Sequence, residues 1–169
     1  LLLRIPRWCD SARVAVNGQT LANTPEPSTY VMLDRIWQDG DVVTLELPMK
    51  VSLRIWERNH HSVSVDRGPL TYSLRIGERW ERYGGTDEWP AFEVFPTTPW
   101  NYGLCLNPDD PTGSFVVERD PGPLPDQPFA VEAAPIRILA PARRIPQWQL
   151  ENGLIAELQD SPAYSTEPV

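Results

Sequence analysis

Apolar and polar residues alternate with a period of two along most of this chain. Ala12 to Val16 alternates through Val14 and runs into Asn17-Gly18, a dipeptide suited to a two-residue hairpin turn. Val42 to Leu47 alternates again before Pro48, and Asp39-Gly40 marks a turn between these two runs. Val51 to Trp56 and Ser62 to Asp66 repeat the pattern across the polar connection Glu57 to His61, and Leu70 to Ile76 follows the Gly68-Pro69 break. Successive side chains of a strand point to opposite faces, so the pattern predicts short, half-buried strands. Their spacing of about 8 to 12 residues suits a sandwich.

The composition changes after Gly77. Glu78 to Pro90 is polar, aromatic and glycine-rich, and reads as a connection or a short helix leading into a strand at Phe92. Phe92 to Leu104 reads FEVFPTTPWNYGL. Proline lacks the N–H a ladder needs, so Pro96 and Pro99 should end the strand Phe92 to Phe95 and leave the turn Trp100-Asn101-Tyr102-Gly103 held out from the sheet. Beyond it, Asn107 to Gly113 reads as a loop, Ser114 to Arg119 as a strand and Asp120 to Pro128 as a proline-rich linker. Further strands are expected at Phe129 to Ala133, Ile136 to Ala140, Trp148 to Leu150 and Leu154 to Leu158. No helical period of useful length occurs, and each of the nineteen prolines would cost about 3 kcal/mol inside a helix. The expected fold is all-β: an antiparallel β-sandwich architecture in two packed β units with little helix, divided near Gly77 into 1–77 and 78–169.

With 169 residues and 41% hydrophobic content, a single compact body would bury roughly two thirds of its unfolded surface. Twenty-three acids against fifteen bases give a net charge of -8, which argues against a nucleic-acid surface or an anionic membrane as partner. No apolar run reaches the roughly 18 to 20 residues needed to span a bilayer. Two cysteines, Cys9 and Cys105, are too few for a disulfide framework and are read as free thiols acting as small hydrophobes. Localisation stays open.

Four segments occur in collinear order over nearly the whole chain: LLLRIPRW from Leu1, WQDGDVVTLELPM from Trp37, DRGPLTYSL from Asp66, and the aromatic segment from Phe92. Together they resemble the C-terminal part of the glycoside hydrolase family 127 proteins, a family similar to retaining β-L-arabinofuranosidases. The resemblance implies a catalytic (α/α)6 barrel preceding two β-sandwiches, with later strands of the first sandwich in 1–77 and most of the second in 78–169. It implies that the family's catalytic cysteine and its zinc, held by Cys and Glu ligands, belong to that barrel. No catalytic residue, metal or cofactor is therefore expected in this chain. The implied partner is the catalytic barrel of the same parent chain, with a second copy in a homodimer and an arabinose-containing glycan as further candidates. The family pattern continues past Ser161-Pro162 into a closing strand, so the chain is expected to leave an unpaired sheet edge at Leu1 to Ile5 or Ile136 to Ala140.

The residues themselves offer little catalytic chemistry. Glu88 and Glu93 are offset by five, which on one strand puts them on opposite faces rather than around one sugar. Asp109-Asp110 lies in NPDDPTG, where Asp serves local backbone hydrogen bonds. His60 and His61 are neighbours, so a metal site joining them to both cysteines conflicts with strand geometry. The aromatics hold more interest. Trp80, Trp89, Trp100 and Tyr102 cluster in irregular segments and are candidate contacts to a sugar or to a neighbouring domain, whereas Trp8, Trp37, Trp56 and Trp148 read as core or sheet-edge packing. In Arg67-Gly68-Pro69-Leu70, the turn would aim the Arg67 fork at a carboxylate or carbonyls of a neighbouring domain, or at a sugar. The function read from this is a non-catalytic accessory β-sandwich region, with a carbohydrate-binding module or a dimerisation domain as the alternatives.

Overall fold

The computed structural model describes residues 1–156. In chain order the strands are β1 (Leu2–Arg4), β2 (Arg13–Val16), β3 (Gln19–Thr20), β4 (Tyr30–Met32), β5 (Val43–Glu46), β6 (Val51–Trp56), β7 (Ser62–Arg67), β8 (Leu70–Tyr72), β9 (Glu78–Gly85), β10 (Pro90–Pro96), β11 (Tyr102–Leu104), β12 (Val116–Arg119), β13 (Ile136–Leu139), β14 (Ala142–Arg144), β15 (Leu150–Glu151) and β16 (Leu154–Ile155). Among the described residues, strands make up 41% and the helical content is one 3-10 turn at Thr112–Ser114, so the fold is all-β, built from several small antiparallel sheets.

The chain divides into two compact units, one of Leu1–Ser52 with Asp66–Thr71, the other of Leu53–Val65 with the residues from Tyr72 onward. The division runs through the β6–β7 hairpin.

Two small sheets face each other in the first unit. One is the pair β1–β4, with Leu3 opposite Val31; the other is β3–β2–β5, with Val14 opposite Leu45 and Val16 opposite Val43. The period-two pattern turns Val14 and Val16 to one side, where both are buried with Leu33 and packed by Leu3, Val31, Val43 and Leu45. Ile5, Cys9 and Ala12 form a second buried group, covered by Trp8, Val31, Leu45 and Leu47. The Asn17-Gly18 turn joins β2 to β3 with both residues at positive φ, 52° and 79°, as the hairpin pattern requires.

Asn17 also ties this turn to the start of β5. Its Nδ2 donates to Asp41 Oδ1 at 2.7 Å, its Oδ1 accepts from the Val42 amide at 2.8 Å, and the Gln38 amide donates to Asp41 Oδ2 at 2.9 Å. Arg35 stands 3.5 Å from the same carboxylate. The Asn17 bond, then the Gln38 amide and Arg35, hold the Asp41 carboxyl below its ordinary 3.8.

The second unit is assembled differently. It contains the β9–β10 ribbon, the pairs β11–β14 and β12–β13, and the small β15–β16 hairpin, each a two-stranded sheet. Leu106 is its one fully buried hydrophobic residue among those described. A core holding two thirds of the unfolded surface is thus not what forms; the closed packing is concentrated in the first unit.

Three sequence expectations need correction. Glu78 to Gly85 is a strand, neither connection nor helix, because Arg79, Glu81 and Trp80, Arg82 alternate between faces of a ribbon that is solvated on both sides. Tyr102 and Gly103 are not held out from a sheet: β11 pairs with β14, Tyr102 opposite Arg144 and Gly103 opposite Arg143. Phe129 to Ala133 forms turns, with backbone bonds from Ala130 to Gln127 and Ala133 to Ala130, and Phe129 is exposed. The expected strand at Leu154 shows as the two residues of β16, and its remainder, with Ser161-Pro162 and the closing strand, lies outside the described residues. Among the described residues β1 pairs with β4 and β13 with β12.

Val14→Ala should lower stability in urea unfolding by about 2 kcal/mol, because it empties the centre of the first core, while Val94→Ala on the exposed ribbon should change it by no more than about 0.5 kcal/mol. Asp41 supplies an acid limb: with a folded-state value lowered from 3.8, its contribution is complete above that value and is lost as pH falls through the folded midpoint. A carbon-detected NMR titration should place the Asp41 midpoint below that of a peptide aspartate, and Asn17→Ala should bring it back up.

Candidate functional site

The aromatic candidates sit in the second unit, and the ribbon β9–β10 carries the most exposed of them. Trp80 lies opposite Val94 and Arg82 opposite Phe92, so these four share one face. The Trp80 and Phe92 rings meet edge to face, centroids 5.8 Å apart at 76°. Glu78 fixes the indole by accepting from Trp80 Nε1 at 3.0 Å. The other face carries Arg79 over the Phe95 ring at 4.9 Å, Arg79 paired with Glu81, and Glu81 directly opposite Glu93. Like charges so placed oppose each other, which the Arg79 partner offsets.

Trp80 is 60% exposed, and Trp89 is 75% exposed at the ribbon tip, where Thr86 Oγ1 accepts from its amide at 3.0 Å. Phe92 and Val94 are also exposed. The structure therefore brings Trp80 together with Phe92, which the sequence reading did not single out. Its signal was the period-two spacing of Phe92 and Val94. Among the described residues, Trp89, Trp100 and Tyr102 make no ring contact with Trp80 or with one another.

Trp100 and Tyr102 are half-buried, and the residue between them is the buried one. Asn101 Nδ2 donates to the carbonyls of Ile145 at 3.0 Å and Trp148 at 3.1 Å, and the Ile145 amide donates back to the Asn101 carbonyl at 2.8 Å. This clamp aligns β11 on β14. A buried asparagine in an aromatic turn has no distinguishing sequence pattern, and its partners lie more than forty residues away.

Arg67, in the first unit, ends β7 and is 4% exposed. Its hydrogen bond is from Nη1 to Met49 Sδ, at 3.8 Å.

The other candidates are local features. His60 and His61 both stand at positive φ, 51° and 55°, in the β6–β7 turn. Asp110 Oδ1 accepts from the Gly113 amide at 3.0 Å and from Thr112 Oγ1 at 3.3 Å, while the Asp109 amide donates to Asn107 Oδ1, so this acidic pair serves the loop around the 3-10 turn. Glu88 lies in the turn before β10 and does not share a strand with Glu93. Cys9, buried, and Cys105, half-buried, are free thiols. Among the described residues no three His, Cys, Asp or Glu side chains gather into a metal site.

The family model described as "Beta-L-arabinofuranosidase, GH127 middle domain" matches residues 1–49. The chain carries a GH127-like region outside any helical barrel. That region holds Ile5, Cys9, Ala12, Val14, Val16 and Leu33, every buried hydrophobic residue described except Leu106. A solved structure titled "Glycoside hydrolase" is similar at 27% identity with a TM-score of 0.40, the match covering 56% of this chain and 19% of that one. No curated protein matches the chain.

Asn101→Ala should lower stability by about 1 to 3 kcal/mol, because two carbonyls lose their donor inside the fold. Hydrogen exchange should show the β11 and β14 amides opening first, while the amides of β2 and β5 in the GH127-like region keep their protection.

Proposed function

We propose that this chain is a non-catalytic accessory β region of a GH127-like glycoside hydrolase, whose parent enzyme is similar to a retaining β-L-arabinofuranosidase. In this reading the β-sandwich region, with later strands of one sandwich in 1–77 and the second in 78–169, packs on and supports the catalytic barrel of the same parent chain. The observation that carries it is the uncovered aromatic and aliphatic face of the second unit: Trp80, Phe92 and Val94 on the ribbon, with Trp89 at its tip. A two-stranded ribbon alone is marginal in water, and exposed apolar surface of this kind gains about 25 cal/mol for each Å² that a partner covers. An aromatic side chain offers roughly 150 to 250 Å², so covering these rings contributes several kcal/mol to docking.

Two features weigh against the other readings. A carbohydrate-binding platform presents coplanar rings for a sugar face, whereas Trp80 and Phe92 cross at 76°. A homodimer would use the same face, but the family match of residues 1–49 favours a barrel in the same parent chain over a second copy. Catalysis is assigned to the barrel because the carboxylates near the aromatics, Glu81 and Glu93, stand on a ribbon solvated on both sides. Zinc, on this reading, belongs to the barrel too.

The purified chain should show no turnover of an aryl arabinofuranoside above buffer. Mixed with the barrel segment of its parent, its tryptophan emission should shift to the blue and saturate, and Trp80→Ala with Trp89→Ala should weaken that response at least tenfold, about 1.4 kcal/mol. Saturable calorimetric binding of an arabinan oligosaccharide, lost in Trp80→Ala, would instead establish the sugar-binding reading. Sedimentation as a dimer that Trp80→Ala dissociates would establish the second copy.

A further inference from the structure

Arg67 is the one charged side chain among the described residues that the fold takes almost wholly out of water, and it is given no charged partner. It is 4% exposed, and its hydrogen bond runs to the thioether of Met49, a weak acceptor. A guanidinium cannot shed its proton, so burial leaves it charged and in need of an anion. The nearest acid in sequence does not serve: Asp66 alternates to the other face of β7 and accepts from Thr71 Oγ1 at 2.6 Å.

Among the described residues, the side-chain polar atoms that are both sealed and without a partner are Ser11 Oγ and the Tyr72 hydroxyl; the guanidinium is not among them, so its Nε and Nη2 are not sealed. Met49, whose Sδ accepts from Nη1, is itself 40% exposed. Its thioether lies above Gly68, where a Cβ would come within 2.5 Å of Sδ and 2.6 Å of Cγ. Any side chain at position 68 would therefore displace Met49. Met49 is unbranched and can swing aside, while its root is held two residues earlier by Leu47 against Ile5, Cys9 and Ala12.

We propose that Arg67 is a carboxylate receptor gated by Met49. Nε and Nη2 form the side of the guanidinium fork that takes a carboxylate through two parallel hydrogen bonds. The chain's net charge of -8 disfavours a phosphate dianion more than a monoanion. The carboxylate comes from an Asp or Glu of a protein segment or from a sugar acid.

The test is a nitrogen-15 NMR titration of the 169-residue chain, following the Arg67 Nε–Hε resonance with sodium acetate against sodium chloride at equal ionic strength. A saturable shift with acetate and none with chloride is expected. Met49→Ala, which removes the thioether, should tighten acetate about tenfold. Arg67→Lys should abolish the saturable shifts of neighbouring amides; if that variant does not fold, the wild-type and Met49→Ala titrations decide. Galacturonate binding at least tenfold tighter than acetate would identify a sugar acid as the source, and equal affinity a protein carboxylate. No saturation with acetate, saturation with inorganic phosphate alone, or weaker acetate binding in Met49→Ala would overturn the proposal.

Discussion

The seam where Val14 and Val16 of β2 close on Leu33, Leu3 and Val31 is the contact on which the first unit depends. Because strand side chains alternate, a slip of one residue in β2 would turn both valines to solvent and Arg13 and Ala15 inward. Three features prevent that slip: the left-handed Asn17-Gly18 turn sets the β2–β3 register, Asn17 bonds across to Asp41 and Val42, and Arg13 pairs with Glu46 at the far end of the β2–β5 ladder at 2.7 Å. The exposed ion pair adds little energy and some alignment.

The second unit stands on another principle. Beyond its share of β6–β7–β8, its described sheets are pairs, and among the described residues Leu106 is its one fully buried hydrophobic residue, so backbone ladders and point contacts such as the Asn101 clamp carry its order. A buried amide that meets two carbonyls holds a geometry without a core, but it does not repay the exposure of Trp80, Trp89 and Phe92. Both units expose apolar side chains, but among the described residues the first also has closed cores around Ile5 and Val14.

Much of the fold could be read from periodicity. β2, β5, β6, β7 and β13 fall where apolar alternation places them, and in β2 that alternation buries Val14 and Val16 on one face. β9 was missed because its polar and aromatic residues alternate on a ribbon wet on both sides, where no buried stripe marks the strand. β11 was missed because Pro96 and Pro99 do end β10, yet nothing local shows that Asn101 then reaches Ile145 and Trp148 to start a new ladder. Among the site candidates, Trp80, Trp89 and Arg67 could be named from residue type, whereas their surroundings depended on contacts invisible in one dimension: Phe92 across the ribbon, and Met49 eighteen residues before Arg67.

The separation between Asn101 and its partners also shapes the order in which the chain can fold. Ile145 follows Asn101 by 44 positions and Trp148 by 47. Closing a loop of that length costs entropy before any bond is gained, so β11 waits on a late, non-local event. On the ribosome, β2 meets β5 after about thirty residues of synthesis, while Asn101 emerges with nothing yet made for its amide to hold. The N-terminal half can thus be complete while the C-terminal half is still searching, and that interval is when the unfinished chain is most open to proteases and chaperones.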